Sequence, residues 1–254
     1  MREIITPLKP KSPKLRLDQA LVSRGLIPSR EKASRQIMAG QVRINGQVAR
    51  KASQEVTDDD RVELEAAERF VSRGGHKLQA ALDHFKIEVS EKTCLDIGSS
   101  TGGFTDCLLQ AGARRVHCID VGENQLEWKL RSDPRVVCKE GLNARYLKAS
   151  DLGEAIDLVV IDVSFISLEK ILPAAMEALS KHGEIVALIK PQFEAGRRQV
   201  GKGGVVRDEA VRRQVVDRIR KYAEESLKLE WIGVIESPLR GPAGNKEFLA
   251  YLKK

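Results

Sequence analysis

The hydrophobic pattern of the chain changes period near its first quarter. Leu17, Ala20, Leu21 and Val22 recur at helical spacing until Gly25, and Ser29 stands where it caps a second helix through Ala33, Ile37 and Met38, which Gly40 ends. Val42 to Val48 then alternates about Asn45-Gly46, the strongest local signal for a β-hairpin, and Asp58-Asp59-Asp60 turns into a strand at Arg61–Leu64. A third helix runs through Leu78, Ala81 and Leu82. Beyond it the apolar residues come in runs: Cys94–Ile97, Arg115–Asp120, Val136–Cys138, Ile156–Asp162 and Ile185–Lys190, with helical spacing between them. Near-continuous, β-branched runs predict strands buried on both faces, hence an α/β protein with a doubly wound parallel sheet. Leu229–Ile235 and Phe248–Leu252, joined by a Pro/Gly loop, predict an antiparallel closing pair. The pattern divides the chain into a Pro- and Lys-rich arm (1–14), a small α+β domain (15–64), a connector (65–76) and the large α/β domain (77–254), a total of 254 residues that suffices for both cores.

Composition narrows the setting. No apolar run approaches the length of a membrane span, and Met1–Lys14 lacks the apolar stretch of a secretory signal, so a cytoplasmic protein without membrane contact is expected. Cys94, Cys107, Cys118 and Cys138 show no C-x-x-C spacing and sit in apolar segments, which predicts reduced core thiols and no metal site. Residues 1–54 carry 12 Lys and Arg against three acids, while the remainder carries 31 against 33. A basic head on a near-neutral body points to a nucleic-acid partner, although a solvated basic surface has the same composition. Arg30, Lys32, Arg35, Arg43, Arg50 and Lys51, spread over the second helix and the hairpin, are the cations placed to meet phosphates.

The chemistry concentrates at Cys94-Leu95-Asp96-Ile97-Gly98-Ser99-Ser100-Thr101-Gly102-Gly103-Phe104-Thr105, which reads as strand, tight loop and helix. Gly98 permits a turn at positive φ, and the Gly102-Gly103 pair leaves helix N-terminal N–H groups open to a ligand. The spacing departs from the dinucleotide fingerprint. The next strand ends in Asp120, placed to accept from a ribose hydroxyl pair, so loop and acid together describe a nucleoside pocket. A Gly-rich turn that binds nothing would look the same. The set resembles the S-adenosylmethionine (SAM) site of class I methyltransferases; the resemblance implies SAM as cofactor and Asp96, Gly98, Ser99, Ser100, Thr101, Gly102, Gly103, Phe104 and Asp120 as its contacts. Asn143, after the third strand, would touch the adenine or ribose, or simply form a turn.

In open α/β sheets ligands bind beyond the carboxyl ends of the strands, where Asp162 and Lys190 lie. Together with Lys77 and Glu247 they match the Lys-Asp-Lys-Glu tetrad of FtsJ-type RNA ribose 2′-O-methyltransferases. Ser72-Arg73-Gly74-Gly75-His76-Lys77-Leu78, Pro191-Gln192-Phe193-Glu194 and Gly201-Lys202-Gly203-Gly204-Val205-Val206-Arg207-Asp208 resemble the TlyA family over nearly the whole chain. Leu17-Asp18-x-Ala20-Leu21, Ser29-Arg30-x-x-Ala33, Ile37-x-x-Gly40-x-Val42 and Ile44-Asn45-Gly46 resemble the small RNA-binding domain named after the fourth small-subunit ribosomal protein. These likenesses imply a Rossmann-like methyltransferase domain that transfers a methyl group to a ribose, a cytidine's, in ribosomal RNA or a ribosomal subunit. Lys77, Asp162, Lys190 and Glu247 would be catalytic, with Lys190 accepting the hydroxyl proton. Arg73 and Lys202 would add to the RNA-binding cations. Gly196–Gly203 nearly spells a Walker A loop, but Gly203 stands where Ser or Thr must hold Mg²⁺ and no apolar strand leads into Gly196, which argues against ATP. Two other functions fit parts of the chain: a non-catalytic RNA-binding assembly factor that keeps the fold, and a membrane-lytic protein, since haemolysin names occur in this family.

Overall fold

A computed structural model of the chain describes residues 13–64 and 68–254, which form two compact units divided between Arg69 and Phe70. The arm expected over 1–14 lies outside the described residues except for Pro13 and Lys14, as does 65–67 of the expected connector.

In the first unit, α1 (Leu17–Ser23) follows the short strand β1 (Leu15–Arg16), and α2 (Arg30–Met38) begins where Ser29 Oγ accepts the Lys32 N–H at 3.3 Å. The strands β2 (Val42–Ile44) and β3 (Gln47–Val48) form the expected hairpin; Asn45 and Gly46 both take positive φ, 50° and 82°, as the tight turn requires. β4 (Glu55–Val56) pairs with β1, an addition too short to leave a pattern in the sequence, and β5 (Val62–Leu64) pairs antiparallel with β2. Leu17, Leu21, Ile37 and Val42 fill the core between helices and strands.

The second unit opens earlier than expected. Phe70 is buried, and α3 (Gly74–Phe85) starts three residues before Lys77, because the Phe70 ring packs where a side chain on Gly75 would stand. Residues 70–76, expected as connector, therefore belong to the second unit. After α3 come β6 (Thr93–Ile97), α4 (Gly103–Gln110), β7 (Arg115–Ile119), α5 (Trp128–Arg131), β8 (Val136–Lys139), α6 (Ala149–Leu152), β9 (Ile156–Ile161), α7 (Leu172–Ala178), β10 (Leu179–Ile189), α8 (Pro191–Glu194), α9 (Glu209–Lys221), β11 (Glu230–Glu236) and β12 (Phe248–Lys253). They build a seven-stranded sheet in the order β11-β12-β10-β9-β6-β7-β8, parallel except for β12, which lies antiparallel to both its neighbours. Side chains alternate between two cores: Cys94 and Val116 pack with α3 and α4 on one face, Leu95 and Ile119 with α7 and α9 on the other. The chain runs outward from β6 to β8 and then returns to place β9 against β6. That reversal opens a crevice at the carboxyl ends of β6 and β9, where open α/β sheets hold their ligands.

Candidate active site

Gly98, at the end of β6, makes the crevice possible. Its φ is 85°, and a Cβ there would lie 2.5 Å from the Asp162 carbonyl oxygen, so only glycine lets the β6 loop pass the end of β9. Gly102 and Gly103 also have a packing role that the sequence does not reveal. A side chain on Gly102 would strike Leu130 and Leu126, and one on Gly103 would strike Ser72 and the Gly74–Gly75 backbone. The pair is small so that α4 can pack against α5 and the start of α3, and Gly103 also lies on the wall of the crevice.

Two joined cavities follow, sharing Gly98, Ser100, Asp162 and Ser164. The larger, about 430 Å³, has apolar walls from Ile97, Ile119, Val121, Leu142, Val163 and Ile166, with Asp120 and Asn143 at its edge. The Asp120 carboxylate accepts the Ser100 N–H at 2.8 Å and the Gly122 N–H at 2.7 Å, so it fastens the β6 loop as well as facing the cavity. Each carboxylate oxygen can accept two hydrogen bonds and here accepts one, which leaves Asp120 capacity for hydroxyl donors. Asn143 Oδ1 accepts from the Arg145 N–H at 3.2 Å and from its Nε at 3.1 Å, the turn-forming role. Asp96 is 0% exposed; Thr105 donates to its Oδ2 at 2.7 Å, while Oδ1 is buried without a partner. Burial, with the charges of Asp162 and Asp120 adding to it, pushes the Asp96 carboxyl up to about 7. A nucleoside fits the larger cavity, an apolar slot with a carboxylate at its edge, while Asp96 stands behind the Gly98 loop and lines neither cavity.

The smaller cavity, about 290 Å³, brings Lys77, Asp162 and Lys190 together, with Arg73, Ser99, Thr101 and Phe104 also on its walls. Lys190 ends β10 and lies 2.6 Å from Asp162 Oδ1, at the end of β9, and donates to Ser164 Oγ at 2.9 Å. Asp162 Oδ1 meets Lys190 as an ion pair without an aligned hydrogen bond. Lys77, on the first turn of α3, donates to Glu247 Oε2 at 2.6 Å, and Gln192 donates to Oε1 at 3.0 Å. Glu247 is 1% exposed and stands behind Lys77 rather than on the cavity wall. The four expected catalytic residues thus form two ion pairs, each lysine with its own carboxylate.

The sequence reading missed several neighbours. Phe165 has φ 63° and is 90% exposed at the cavity rim, its ring centroid 4.9 Å from that of Phe193. A bulky residue in the left-handed region is a strained placement that the loop imposes. Gln192 and Ser164 gave only their positions beside Lys190 and Asp162 as a signal. Lys202 is exposed on a turn closed by the Gly201–Val205 bridge and is not among the residues lining either cavity. The Gly196–Gly203 segment is entered from α8 through a 3₁₀ turn at Arg197–Gln199, which is not the strand and helix of a phosphate loop.

In the first unit the expected RNA-binding cations separate into two groups. Arg30 Nη2 lies 2.9 Å from Asp18 Oδ2, beside Arg16, and Arg35 pairs with Glu31. The Arg16 and Arg30 guanidinium groups hold the buried Asp18 carboxyl down at about 2. Arg43 donates to the Gly46 carbonyl at 3.0 Å. Lys32, Arg50 and Lys51 are exposed, with no ion pair among the described residues.

Comparison with known proteins agrees with this geometry. Residues 70–254 match the FtsJ-like methyltransferase family and residues 15–62 the S4 domain. The chain is 48% identical over 242 residues to the 16S/23S rRNA (cytidine-2′-O)-methyltransferase TlyA of Mycobacterium tuberculosis, covering 94% of this chain and 89% of that one. It is 43% identical to Hemolysin A of Brachyspira hyodysenteriae over 93% and 99% of the two chains. A solved structure from Streptococcus thermophilus, 44% identical, superimposes with a TM-score of 0.73 over 95% of this chain and 89% of that one. With both domains matched and nearly its full length shared, the chain belongs to the TlyA family of FtsJ-like methyltransferases.

Proposed function

We propose that the protein is a SAM-dependent methyltransferase that modifies the 2′-hydroxyl of a cytidine ribose in ribosomal RNA, and that it works in the cytoplasm, where that RNA is assembled. The observation that carries this reading is the Lys190–Asp162 pair, standing where the nucleoside-shaped cavity meets the cationic one. Asp96, Asp120 and the Gly98–Gly103 loop would hold the cofactor. SAM, when bound, supplies an electrophilic methyl group.

A ribose hydroxyl is a poor nucleophile at neutral pH and needs an aligned proton acceptor. Lys190 and Asp162, 2.6 Å apart, act as one unit: Lys190 Nζ reacts as the neutral amine, takes the hydroxyl proton as the ribose oxygen attacks the methyl carbon, and Asp162 balances the ammonium so formed. Ser164 fixes the direction of the amine. The Lys77–Glu247 pair, locked from behind by Gln192, holds a second cation against the hydroxyl oxygen without needing to exchange a proton. The ring of Phe165, exposed at the rim, offers a face on which an unstacked base can lie, the usual way in which proteins hold single RNA bases. The S4-type unit adds exposed cations for the RNA backbone through Lys32, Arg50 and Lys51.

Two other readings are weaker. An assembly factor without catalysis has no use for two lysine–carboxylate pairs, one buried and one half-buried, in one crevice. Membrane lysis finds no support in the helices: among the described residues none is long and apolar enough to cross a membrane. Mapping 2′-O-methylated riboses in rRNA from cells with and without the protein is the test. One or more cytidines should lose the mark in its absence; an unchanged map, with purified protein transferring no methyl group to either ribosomal subunit, would reject the proposal.

A further inference from the structure

The smaller cavity carries more positive charge than its cofactor can use. Arg73, Lys77, Lys190 and Arg240 line it, and Asp162 is the one carboxylate on its walls. Glu247, behind Lys77, neutralises a second cation and still leaves an excess of two. SAM does not supply the missing anion: its sulfonium and ammonium against one carboxylate make it a cation overall. The excess resides on the two arginines. Arg73 sits just before α3 and Arg240 in the loop between β11 and β12, so they reach the cavity from separate segments. Both are exposed, and neither has an ion-pair partner among the described residues; Arg240 makes only a long contact, 3.4 Å, to the Gly244 carbonyl.

Fixed scaffolding holds Arg240 in place. Asn245, 2% exposed, accepts the Val206 N–H at 2.9 Å, donates to the Gly204 carbonyl at 2.8 Å, and its own carbonyl takes the Gly241 N–H at 2.9 Å. Gly241 passes so close to Glu247 that a Cβ would lie 2.5 Å from Oε1. The segment that presents Arg240 is therefore built against the same carboxylate that positions Lys77.

We propose that Arg73 and Arg240 form a clamp for the phosphodiesters on the two sides of the target ribose, resting on the methyltransferase reading given above. Guanidinium groups suit this task, since their planar fork matches two phosphate oxygens at once. Gripped on both sides, the ribose enters with its 2′-hydroxyl toward Lys190, and the enzyme selects an internal nucleotide of a polymer over a free nucleoside.

The test uses the full-length enzyme with ribosomal subunits from cells lacking it as the RNA probe. Arg73→Ala and Arg240→Ala should each raise the KM for subunits about tenfold, and each should lower the salt slope of log affinity by roughly 0.7–0.9, the value for one lost phosphate contact. SAM affinity, measured by calorimetry, should stay at the wild-type value, and Arg240→Lys should recover only part of the loss. A fall in SAM affinity with unchanged KM for RNA would overturn the proposal and assign the arginines to the cofactor's carboxylate. Unchanged KM and salt slope in both variants would overturn it as well, with the methyltransferase reading intact. If wild-type enzyme transferred no methyl group to the subunits, that reading would fall and the clamp with it.

Discussion

The two units of this protein carry charge in opposite ways. The first is basic over residues 1–54, with 12 Lys and Arg against three acids, yet Lys14, Arg16, Arg30, Arg35 and Arg61 each face a carboxylate of the same unit. The second is nearly balanced by sequence, with 29 Lys and Arg against 26 acids over residues 70–254, yet its crevice gathers Arg73, Lys77, Lys190 and Arg240 around Asp162. Formal charge along a chain is a sum, whereas a ligand feels the local field, and that depends on which charges the fold has already paired. The cations that remain open to RNA are therefore fewer in the head, and more concentrated in the body, than composition implies.

The largest expected effect is at the paired lysine of the crevice. Lys190→Ala should lower methyl transfer by ~10²–10⁴, the range for a positioned acid or base, while SAM and RNA still bind. Single-turnover assays with saturating substrates check it, and wild-type rates in the variant would remove Lys190 from the chemistry.

Next is the carboxylate that both fastens the β6 loop and faces the apolar cavity. Asp120→Ala should weaken SAM binding by ~1–3 kcal/mol, the cost of losing charge-assisted hydrogen bonds, and should leave the Ser100 and Gly122 N–H groups without their acceptor. Calorimetry gives the affinity and hydrogen exchange gives the loop. Asp120→Asn, which keeps an acceptor oxygen, should restore loop protection more than SAM affinity.

The smallest effects distinguish paired from open cations in the head. Lys32→Ala should reduce the salt slope of RNA affinity by roughly 0.7–0.9, while Arg30→Ala should change it less because that guanidinium is held by Asp18. Arg30→Ala should instead act on stability. Asp18 titrates at about 2 in the folded protein, below its usual value of 3.8, so its contribution is complete above about pH 4 and disappears as pH falls toward 2. Without Arg30 the folded value rises toward the unfolded one, the contribution shrinks, and acid unfolding should begin at a higher pH. Acid titration followed by circular dichroism reads this directly; equal acid midpoints would show that Arg16 alone holds the carboxylate.

Much of the architecture was legible in the sequence. Period-two and period-3.6 hydrophobicity identified α1, α2, the Asn45-Gly46 hairpin and the parallel strands, because burial on one or two faces imposes those spacings directly on neighbouring residues. Asp162 and Lys190 were placed by their strand ends, and Lys77 and Glu247 joined them through the resemblance to the FtsJ-type tetrad; the structure brings the four together as two ion pairs. The connector was misjudged at 70–76 because its polar and glycine residues look like a linker; Gly75 is there to accept the Phe70 ring, a contact that no periodicity encodes. The packing role of Gly102 and Gly103 was missed for the same reason: a sequence shows that a side chain is missing but not what occupies its place. Local order along the chain thus determined which elements form and which reactive groups end them. Tertiary structure alone decided that each lysine has its own carboxylate, that Arg30 is bound to Asp18, and that Arg240 reaches the crevice, because ion pairing depends on distances between segments remote in sequence.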